Sequence, residues 1–355
     1  MAARRKPTPT PKSKASDLAF ASKRDRLLAA MALCNRALKD EGRLYLGSDH
    51  PLHQRLPTGI LALDYVTGGG VVRGQMCEFA GQEGSAKTLA ATIAVATTQA
   101  AGGEACWCQG ETFDSAWAEE HEVDLETLVM LEAASGDTAM ETFCTLLDQN
   151  VLDIAVLDSF QSLGTTREFE AGVESESYAG AGAPQMWGRT MRRAYRAANR
   201  GSPTAIIGIS QVRDTIGGFA PGGRKPEPKG TAIRAIKHWK AIGVYFKSGD
   251  QEYDGKEESK NLRAIEFKVR CTKNKTAATL GRYATFWLRK DRYGWAIDND
   301  SSLVQLAVNF DLVKKKGGWY VGYGVRGQGR AGWLAAVKKR QDKYDRLVKE
   351  VRSNF

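Results

Sequence analysis

The sequence has no run of about 18 apolar residues, the least that a membrane-spanning helix needs. Its six cysteines include no C-x-x-C pair, which argues against a zinc ribbon or a thioredoxin-type redox motif. No repeat of fixed period is evident, and the basic N-terminal stretch lacks the apolar segment of a secretory signal. We therefore expect a cytoplasmic protein whose cysteines are small buried hydrophobes in a reducing compartment.

Charge is unevenly distributed along the 355 residues, whose formal net charge is +10. Residues 311–355 hold 12 Lys or Arg and 4 Asp or Glu, and residues 1–22 hold 5 and 1. The body between them is slightly acidic. Basic ends attract polyanions such as nucleic acids, although basic tails can also serve only to keep a protein soluble.

Four segments are predicted. Residues 1–22 are rich in Lys, Arg, Pro, Thr and Ser, which is typical of a disordered basic arm. Residues 23–56 are expected to form an oligomerisation helix, docked on the body or on a neighbouring subunit, and a linker. The apolar positions at helical spacing in that helix are Leu27, Met31, Cys34 and Leu38. Residues 57–290 are expected to form the core, and residues 291–355 a small basic α+β domain that binds DNA.

The core alternates short apolar runs with helical stretches, which predicts a mainly parallel sheet with helices on both faces. The predicted strands are 76–80, 105–108, 154–157, 205–209, 242–246 and 265–269. Two long connectors, at about 164–186 and 211–232, interrupt this alternation. Loops of that length within a compact domain are usually functional or disordered.

The stretch 81–88 reads GQEGSAKT and lies between an apolar run and a helical run. It fits the phosphate-loop pattern G-x-x-x-x-G-K-[ST], except that Ala86 replaces the second glycine. In such a loop, backbone N–H groups and a helix N-terminus face the phosphates. We expect Lys87 to reach the β- and γ-phosphates and Thr88 to bind Mg²⁺. The candidate nucleotide contacts are Gly81, Glu83, Gly84, Ser85, Ala86, Lys87 and Thr88.

A second element supports a nucleotide site. The apolar run 154–157 ends in Asp158, and an acid in that position holds the magnesium shell of phosphate-loop enzymes, here through water. The methyl group of Ala86 costs little at a negative φ and roughly 1–2 kcal/mol at a positive φ. We therefore expect nucleotide binding that is functional but weaker than with glycine.

In their order these motifs resemble the RecA family of homologous-recombination ATPases, over residues 24–352. The matching stretches are PTGILALD at 57–64, GQEGSAKT at 81–88, ISQVR at 209–213, KNK at 273–275, GWY at 318–320 and GQG at 327–329. The resemblance implies an α/β phosphate-loop ATPase core with an N-terminal helix and a small C-terminal domain.

The resemblance also implies roles for single residues. Glu111 corresponds to the glutamate that activates the attacking water. Gln211 lies in the stretch that corresponds to the start of the second DNA loop; because it ends a strand beside the phosphate edge of the sheet, we expect it to sense the γ-phosphate, and a strand-end polar residue without that role is the alternative. Lys273 and Lys275 correspond to lysines that reach a neighbour's γ-phosphate; solvated surface charge is the alternative. Two further residues correspond to the acid and the aromatic that hold adenine, namely Asp114 and Trp117. Packing in the core is an equally open reading for the tryptophan.

Both long connectors are expected to meet DNA. Arg and Lys side chains pair with phosphates without reading sequence, and apolar side chains wedge between bases and hold a strand extended. The candidate contacts are Met186, Arg189, Arg213, Ile216, Phe219, Arg224, Lys225 and Lys229. Packing within the folded loop is the alternative for Ile216 and Phe219.

The resemblance implies an ATP-dependent, Mg²⁺-dependent recombinase that forms a helical filament on single-stranded DNA. It would pair that strand with homologous double-stranded DNA and hydrolyse ATP. The implied protein partners are further copies of the chain and single-strand-binding or loader proteins, and DNA-bound protein would associate with the nucleoid. Two alternatives stay open: a DNA-coating or mediator protein without hydrolysis, suggested by Ala86, and a hexameric helicase motor.

The chain departs from the family at its end. Bacterial members of the family finish with an acidic tail that restrains DNA capture, whereas this sequence finishes with KKRQDKYDRLVKEVRSNF. We expect easier engagement of duplex DNA.

Overall fold

The computed structural model describes residues 22–38, 42, 44–49, 53–170, 182–199, 203–212, 234–255 and 261–355. The chain divides into an N-terminal unit up to Leu52 and a larger unit from His53 to Phe355. The predicted basic arm lies outside the described residues except for its last residue. Among the described residues, no helix is both long and apolar enough to cross a membrane.

The N-terminal unit contains the predicted helix α1 (Lys23–Leu38) and a short 3-10 helix (Gly47–Asp49). Ser22 and Asp25 cap the start of α1 reciprocally: the Asp25 N–H donates to Ser22 Oγ, and the Ser22 N–H donates to the Asp25 carboxylate. No residue of α1 is buried. The helix prediction is confirmed, while the docking of its apolar side chains stays a prediction.

Ten helices of the larger unit lie within the described residues. They are α2 (Leu61–Thr67), α3 (Lys87–Ala100), α4 (Ser115–Glu120), α5 (Gly136–Asp148), α6 (Thr166–Glu170), α7 (Ala183–Asn199), α8 (Arg234–Trp239), α9 (Asn299–Asn309), α10 (Arg330–Lys338) and α11 (Gln341–Arg352). Side chains cap several of them; for example, Ser135 accepts the N–H of Thr138 at the start of α5.

The strands of the larger unit include all six predicted ones. They are β1 (Arg55–Leu56), β2 (Val71–Val72), β3 (Met76–Gly81), β4 (Ala105–Gln109), β5 (Val129–Leu131), β6 (Ile154–Asp158), β7 (Ala205–Gln211), β8 (Ile242–Asp254), β9 (Asn261–Asn274), β10 (Tyr283–Asp291), β11 (Gly294–Ile297), β12 (Lys314–Lys316), β13 (Trp319–Gly322) and β14 (Val325–Gln328).

One large mixed sheet positions the site. Its order is β11-β10-β9-β8-β3-β7-β6-β4-β5. The strands from β8 to β5 in this order pair in parallel, and β8 to β11 pair antiparallel. The connection between β8 and β9 is too short for a parallel crossover, so these strands return as a hairpin. The predicted, mainly parallel α/β sheet is confirmed, with an antiparallel wing that the sequence reading did not include.

Apolar side chains cover both faces of this sheet. One core contains α2 and α3 and the large side chains Phe79, Trp107 and Phe246. The opposite core contains α5 and α7 with Phe143 and Trp187. Every residue of β3 is buried, which explains why this strand has no alternating pattern.

The C-terminal residues build a separate core. Helices α9, α10 and α11 pack with the antiparallel sheet β12-β13-β14 around the fully buried Trp333, and Leu61 of α2 joins them. This confirms a small α+β unit. Near the predicted boundary at residue 290, β11 pairs with β10 of the large sheet. Near the predicted boundary at residue 57, β1 pairs with β2. The domain bounds themselves stay predictions.

Candidate functional site

The stretch 81–88 forms the turn between β3 and α3. At Gly81 a Cβ would lie 2.4 Å from the carbonyl oxygen of Phe246, so a larger residue would collide with β8. Ser85 Oγ closes the turn by donating to the carbonyl oxygen of Gln82 over 2.6 Å. Strand, loop and helix follow one another as a phosphate-binding loop requires, and the N-terminus of α3 lies at the carboxyl edge of the sheet.

Ala86 has a left-handed backbone. Its φ is 68° and its ψ is 25°, and it precedes α3 without a side-chain cap. Of the two conformations considered from the sequence, the structure has the costly one, and a Cβ there costs roughly 1–2 kcal/mol. The neighbouring Gly84 has a φ of 67° and bears no such cost. The loop thus contains one strained residue, directly before its lysine.

Lys87 is buried at the centre of the loop, with a relative exposure of 7%. Its Nζ donates to the carbonyl oxygen of Gln82 over 2.6 Å and approaches Ser85 Oγ at 3.4 Å. Burial lowers the pKa of Lys87, while Asp158 and other nearby carboxylates oppose that shift. The ammonium group therefore lies inside the loop on a contact that a phosphate oxygen would replace.

Thr88 and Asp158 provide oxygen atoms beside this loop. Thr88 Oγ1 donates to Asp158 Oδ2 over 3.2 Å, while Asp158 Oδ1 is buried without a hydrogen-bond partner in the described residues. Burial, with Glu111 nearby, raises the pKa of Asp158 to about 6. Magnesium prefers hard oxygen ligands such as carboxylates and hydroxyls. These two residues therefore fit a bound Mg²⁺, because the orphaned oxygen gains a charge partner when the ion is present.

Glu111 lies just beyond β4, at the same edge. Its N–H donates to the carbonyl oxygen of Asp158 over 3.0 Å, which fixes its backbone. Gln211, the last residue of β7, donates from Nε2 to both carboxylate oxygens of Glu111, at 2.9 and 3.1 Å, and Ser159 Oγ donates to one of them. The carboxylate is exposed and oriented by three strands. It can accept a proton from a water molecule bound there.

The similarity of this chain to known proteins identifies its family. The family model described as RecA N-terminal domain matches residues 26–288. The chain belongs to the RecA family. Protein RecA of Frankia alni is 32% identical over 340 residues, 94% of this chain and 93% of the relative. Protein RecA of Acidothermus cellulolyticus is 31% identical over 303 residues, 84% of each chain.

The two lysines of the K-N-K stretch in this RecA-family chain contact helix α8. Lys273 Nζ donates to the carbonyl oxygen of Lys237 over 2.6 Å, and Lys275 Nζ to that of His238 over 3.3 Å. Burial lowers the pKa of Lys273, and the positive charges of Lys275 and Lys240 lower it further. These lysines are therefore not simply solvated: they bind the negative C-terminal end of a helix.

The two residues predicted to hold adenine have local structural contacts. Asp114 is the N-cap of α4 and accepts the N–H of Trp117 over 3.0 Å. The Trp117 ring packs edge-on against His121 with 4.4 Å between centroids, and it also borders the core beside α3. Both residues keep exposed or half-exposed surface, so contact with a base stays a prediction.

Only two predicted DNA contacts fall within the described residues. Arg189 is exposed on α7. Met186 is buried with a relative exposure of 6% in the core beneath the same helix, where its apolar side chain fills the space between α7 and the sheet; its contact with DNA stays a prediction. The remaining candidates lie outside the described residues, namely Arg213, Ile216, Phe219, Arg224, Lys225 and Lys229.

Sequence reasoning missed several residues that position the site. Ser159 bonds Glu111, and its place directly after Asp158, the predicted metal-site acid, was a usable signal. Gln161 bonds the backbone of Gln211, a contact that no motif indicates. The sequence also showed no sign of a group of contacts between distant residues. Glu78 in β3 accepts a hydrogen bond from Ser210 Oγ over 2.8 Å and forms an ion pair with the Lys240 ammonium group.

Proposed function

We propose that this RecA-family protein is an ATP-dependent DNA recombinase that forms filaments on single-stranded DNA and exchanges strands with a homologous duplex. The observation that carries the proposal is the meeting of four functional groups at one sheet edge: the buried lysine of the loop, the orphaned carboxylate oxygen of Asp158, the exposed carboxylate of Glu111 and the amide of Gln211. A protein that only coated DNA would not need an oriented base beside a metal site.

In the proposed reaction the loop binds the triphosphate through its N–H groups and Lys87. Thr88 and, through water, Asp158 would hold Mg²⁺, which neutralises charge on the phosphate oxygens. Glu111 orients the attacking water and accepts its proton, as a carboxylate within hydrogen-bond reach can do. Asp114 and Trp117 would hold the adenine base.

Gln211 would couple the two ligands. Its amide now bonds Glu111, and the chain immediately after β7 enters the second predicted DNA connector. A γ-phosphate that attracts the Gln211 amide would release Glu111 to bind water and would shift the start of that connector. This is an order–disorder type of switch, which nucleotide-binding proteins use widely.

Lys273 and Lys275 would act in a neighbouring subunit. To reach that subunit's γ-phosphate they must leave the carbonyl oxygens of α8. A phosphate with several negative charges is the stronger partner for two ammonium groups. ATP would then connect consecutive subunits, and its hydrolysis would weaken the filament.

The C-terminal domain offers a surface for DNA. The three lysines of β12, Lys314–Lys316, are exposed. On the adjacent strand Trp319 is 40% exposed, with the Arg326 guanidinium 4.4 Å above its ring. Basic side chains neutralise phosphates, and an exposed aromatic ring supports base stacking. We propose that this sheet binds DNA.

The test is ATP hydrolysis with and without single-stranded DNA, at low and moderate salt, for the wild type and Lys87→Ala. The exposed Lys349 gives a matched control, Lys349→Ala. We expect hydrolysis that DNA stimulates strongly, that Lys87→Ala abolishes and that Lys349→Ala leaves unchanged. Filaments on DNA should appear in electron micrographs with ATP.

Two results would contradict the proposed recombinase. DNA binding without hydrolysis in the wild type would mean that Ala86 disables the loop and would identify a coating protein. Rings without filaments would identify a helicase-type motor.

A further inference from the structure

The segment after β6 contains a short turn whose side chains bond the neighbouring strand β7. Strand pairing between β6 and β7 ends at Leu157 opposite Gly208. The N–H of Phe160 then donates to the carbonyl oxygen of Ile209 over 3.0 Å. Beyond that point the chain from β6 turns away, and the last residue of β7, Gln211, would have an unpaired edge.

The side chain of Gln161 covers that edge. Its Nε2 donates to the carbonyl oxygen of Gln211 over 3.0 Å, and its Oε1 accepts the N–H of Gln211 over 3.3 Å. One primary amide thus supplies the donor and the acceptor that a neighbouring strand would supply. On the opposite side, the N–H of Val212 donates to the carbonyl oxygen of Gly81, so Gln211 is held between this amide and the phosphate-loop strand.

We propose that Gln161 is a positioning residue that fixes the backbone of Gln211, so that its side chain reaches Glu111 and its position responds to DNA. This inference rests on the proposed function. Gln161 touches neither nucleotide nor DNA in this role; it acts through Gln211, the residue from which the second DNA connector departs.

The turn that carries Gln161 is itself firmly anchored. The Phe160 ring covers Gly208 so closely that a Cβ on that glycine would lie 1.9 Å from the ring. The same ring packs edge-on against Trp187 of α7, with 4.8 Å between centroids. Helix α7 also presents the exposed Arg189, a predicted DNA contact. A movement of α7 on DNA would thus reach Gln211 through Phe160 and Gln161.

Amide exchange tests the contact without any ligand. In nucleotide-free Gln161→Ala we expect the Gln211 N–H to exchange about tenfold faster, since a net hydrogen bond of this kind limits opening by about that factor. The N–H of Val212, bonded to β3, should change less. Unchanged exchange at Gln211 would overturn the inference. The exposed Gln149 gives a matched control, Gln149→Ala, which should leave both amides unaffected.

Steady-state hydrolysis tests the role. We expect Gln161→Ala to lower the DNA-stimulated kcat several-fold while the KM for ATP stays within about twofold, because the loop that binds ATP is untouched. Gln161→Glu keeps the acceptor and loses the donor, so its DNA-stimulated kcat should lie between those of the wild type and Gln161→Ala. In a Gln211→Ala background, Gln161→Ala should add no further loss.

Equal losses with and without the Gln211 side chain would refute coupling through that residue and would leave only a structural role for Gln161. A wild type without DNA-stimulated hydrolysis would instead refute the proposed function, and the exchange experiment would still decide whether the contact holds Gln211.

Discussion

The phosphate-loop edge and the K-N-K lysines are both predicted to meet the phosphates of ATP, yet their states differ. At the loop edge, Asp158 Oδ1 is buried without a hydrogen-bond partner in the described residues, Ala86 is strained, and Lys87 Nζ donates to the carbonyl oxygen of Gln82. The lysines, Lys273 and Lys275, are already bonded to the end of α8. At the loop edge Lys87 exchanges one contact and the unbonded oxygen of Asp158 gains a partner when nucleotide and Mg²⁺ bind, whereas both K-N-K lysines must exchange their contacts.

This difference has an energetic consequence. Groups without partners give their full interaction energy to a ligand, whereas bonded groups give only the difference between two partners. We expect the loop to account for the affinity of a single subunit for nucleotide. The lysines should act mainly when a neighbouring triphosphate outcompetes two neutral carbonyl oxygens.

Among the changes outside the phosphate loop, removing Lys273 and Lys275 should have the largest effect on hydrolysis. In Lys273→Ala/Lys275→Ala we expect DNA-stimulated hydrolysis to fall about 10³-fold, by analogy with cationic fingers supplied by a partner. Nucleotide binding to the isolated subunit should change little. The exposed Lys247 on the adjacent β8 gives the control Lys247→Ala, which should remain active. Equal loss of nucleotide binding and hydrolysis in the double variant would place the lysines within their own subunit's site.

Removing the base should have the next largest effect. Glu111→Gln keeps an acceptor for the Gln211 amide but cannot take a proton, so we expect kcat to fall about 10²-fold or more. Nucleotide affinity, measured by fluorescence titration, should remain near that of the wild type. A variant with normal kcat would show that another group activates the water.

The buried Asp158, at the proposed metal site, should make stability depend on pH. The pKa of Asp158 is raised from 3.8 to about 6, so its contribution to the nucleotide-free fold is intact below pH 3.8 and is lost as the pH rises through about 6. In Asp158→Asn at pH 8 without Mg²⁺, we expect the free energy of unfolding in urea to rise on the order of 2 kcal/mol.

Asp64 gives the matched control for that effect. It is also buried, and burial raises its pKa to about 6. Asp64→Asn should therefore stabilise the protein similarly while leaving Mg²⁺-dependent nucleotide binding intact. That binding should disappear in Asp158→Asn, and in the wild type it should weaken as the pH falls below about 6. Persistent Mg²⁺ dependence in Asp158→Asn would rule the residue out as part of the metal site.

The smallest effect concerns the strain in the loop. Ala86→Gly should raise the free energy of unfolding by about 1 kcal/mol, since glycine adopts the left-handed conformation without a Cβ clash but loses more chain entropy. Glu122 also has a positive φ, of 66°, so Glu122→Gly should give a similar gain. Only Ala86→Gly should also tighten nucleotide binding. No gain in stability would show that the loop accommodates alanine without cost.

The sequence predicts the elements whose signals are local. The phosphate loop has a fixed spacing, and the six apolar runs, which are mostly bounded by polar residues or glycine, are strands. Contacts between segments that are distant in sequence could not be predicted. Whether Ala86 is left-handed depends on how β3 and α3 meet. The bond between Gln161 and Gln211 joins residues 50 apart, and the contact between Lys273 and α8 joins residues 36 apart.

The burial of Met186 has a similar cause. Helical geometry turns position 186 toward the sheet and position 189 toward solvent. The predicted connector boundary at residue 186 gave no register for that helix turn, so the sequence did not show which of the two side chains is exposed.

The most direct measurement mixes two inactive variants, Lys87→Ala, which keeps its lysines, and Lys273→Ala/Lys275→Ala, which keeps its loop. If the site is completed across a head-to-tail interface, an equal mixture on single-stranded DNA should recover about a quarter of the wild-type hydrolysis, because about that share of interfaces pairs an intact loop with intact lysines. A mixture as inactive as its components would contradict a site shared between subunits. The role of the lysines would then be limited to their contacts with the end of α8.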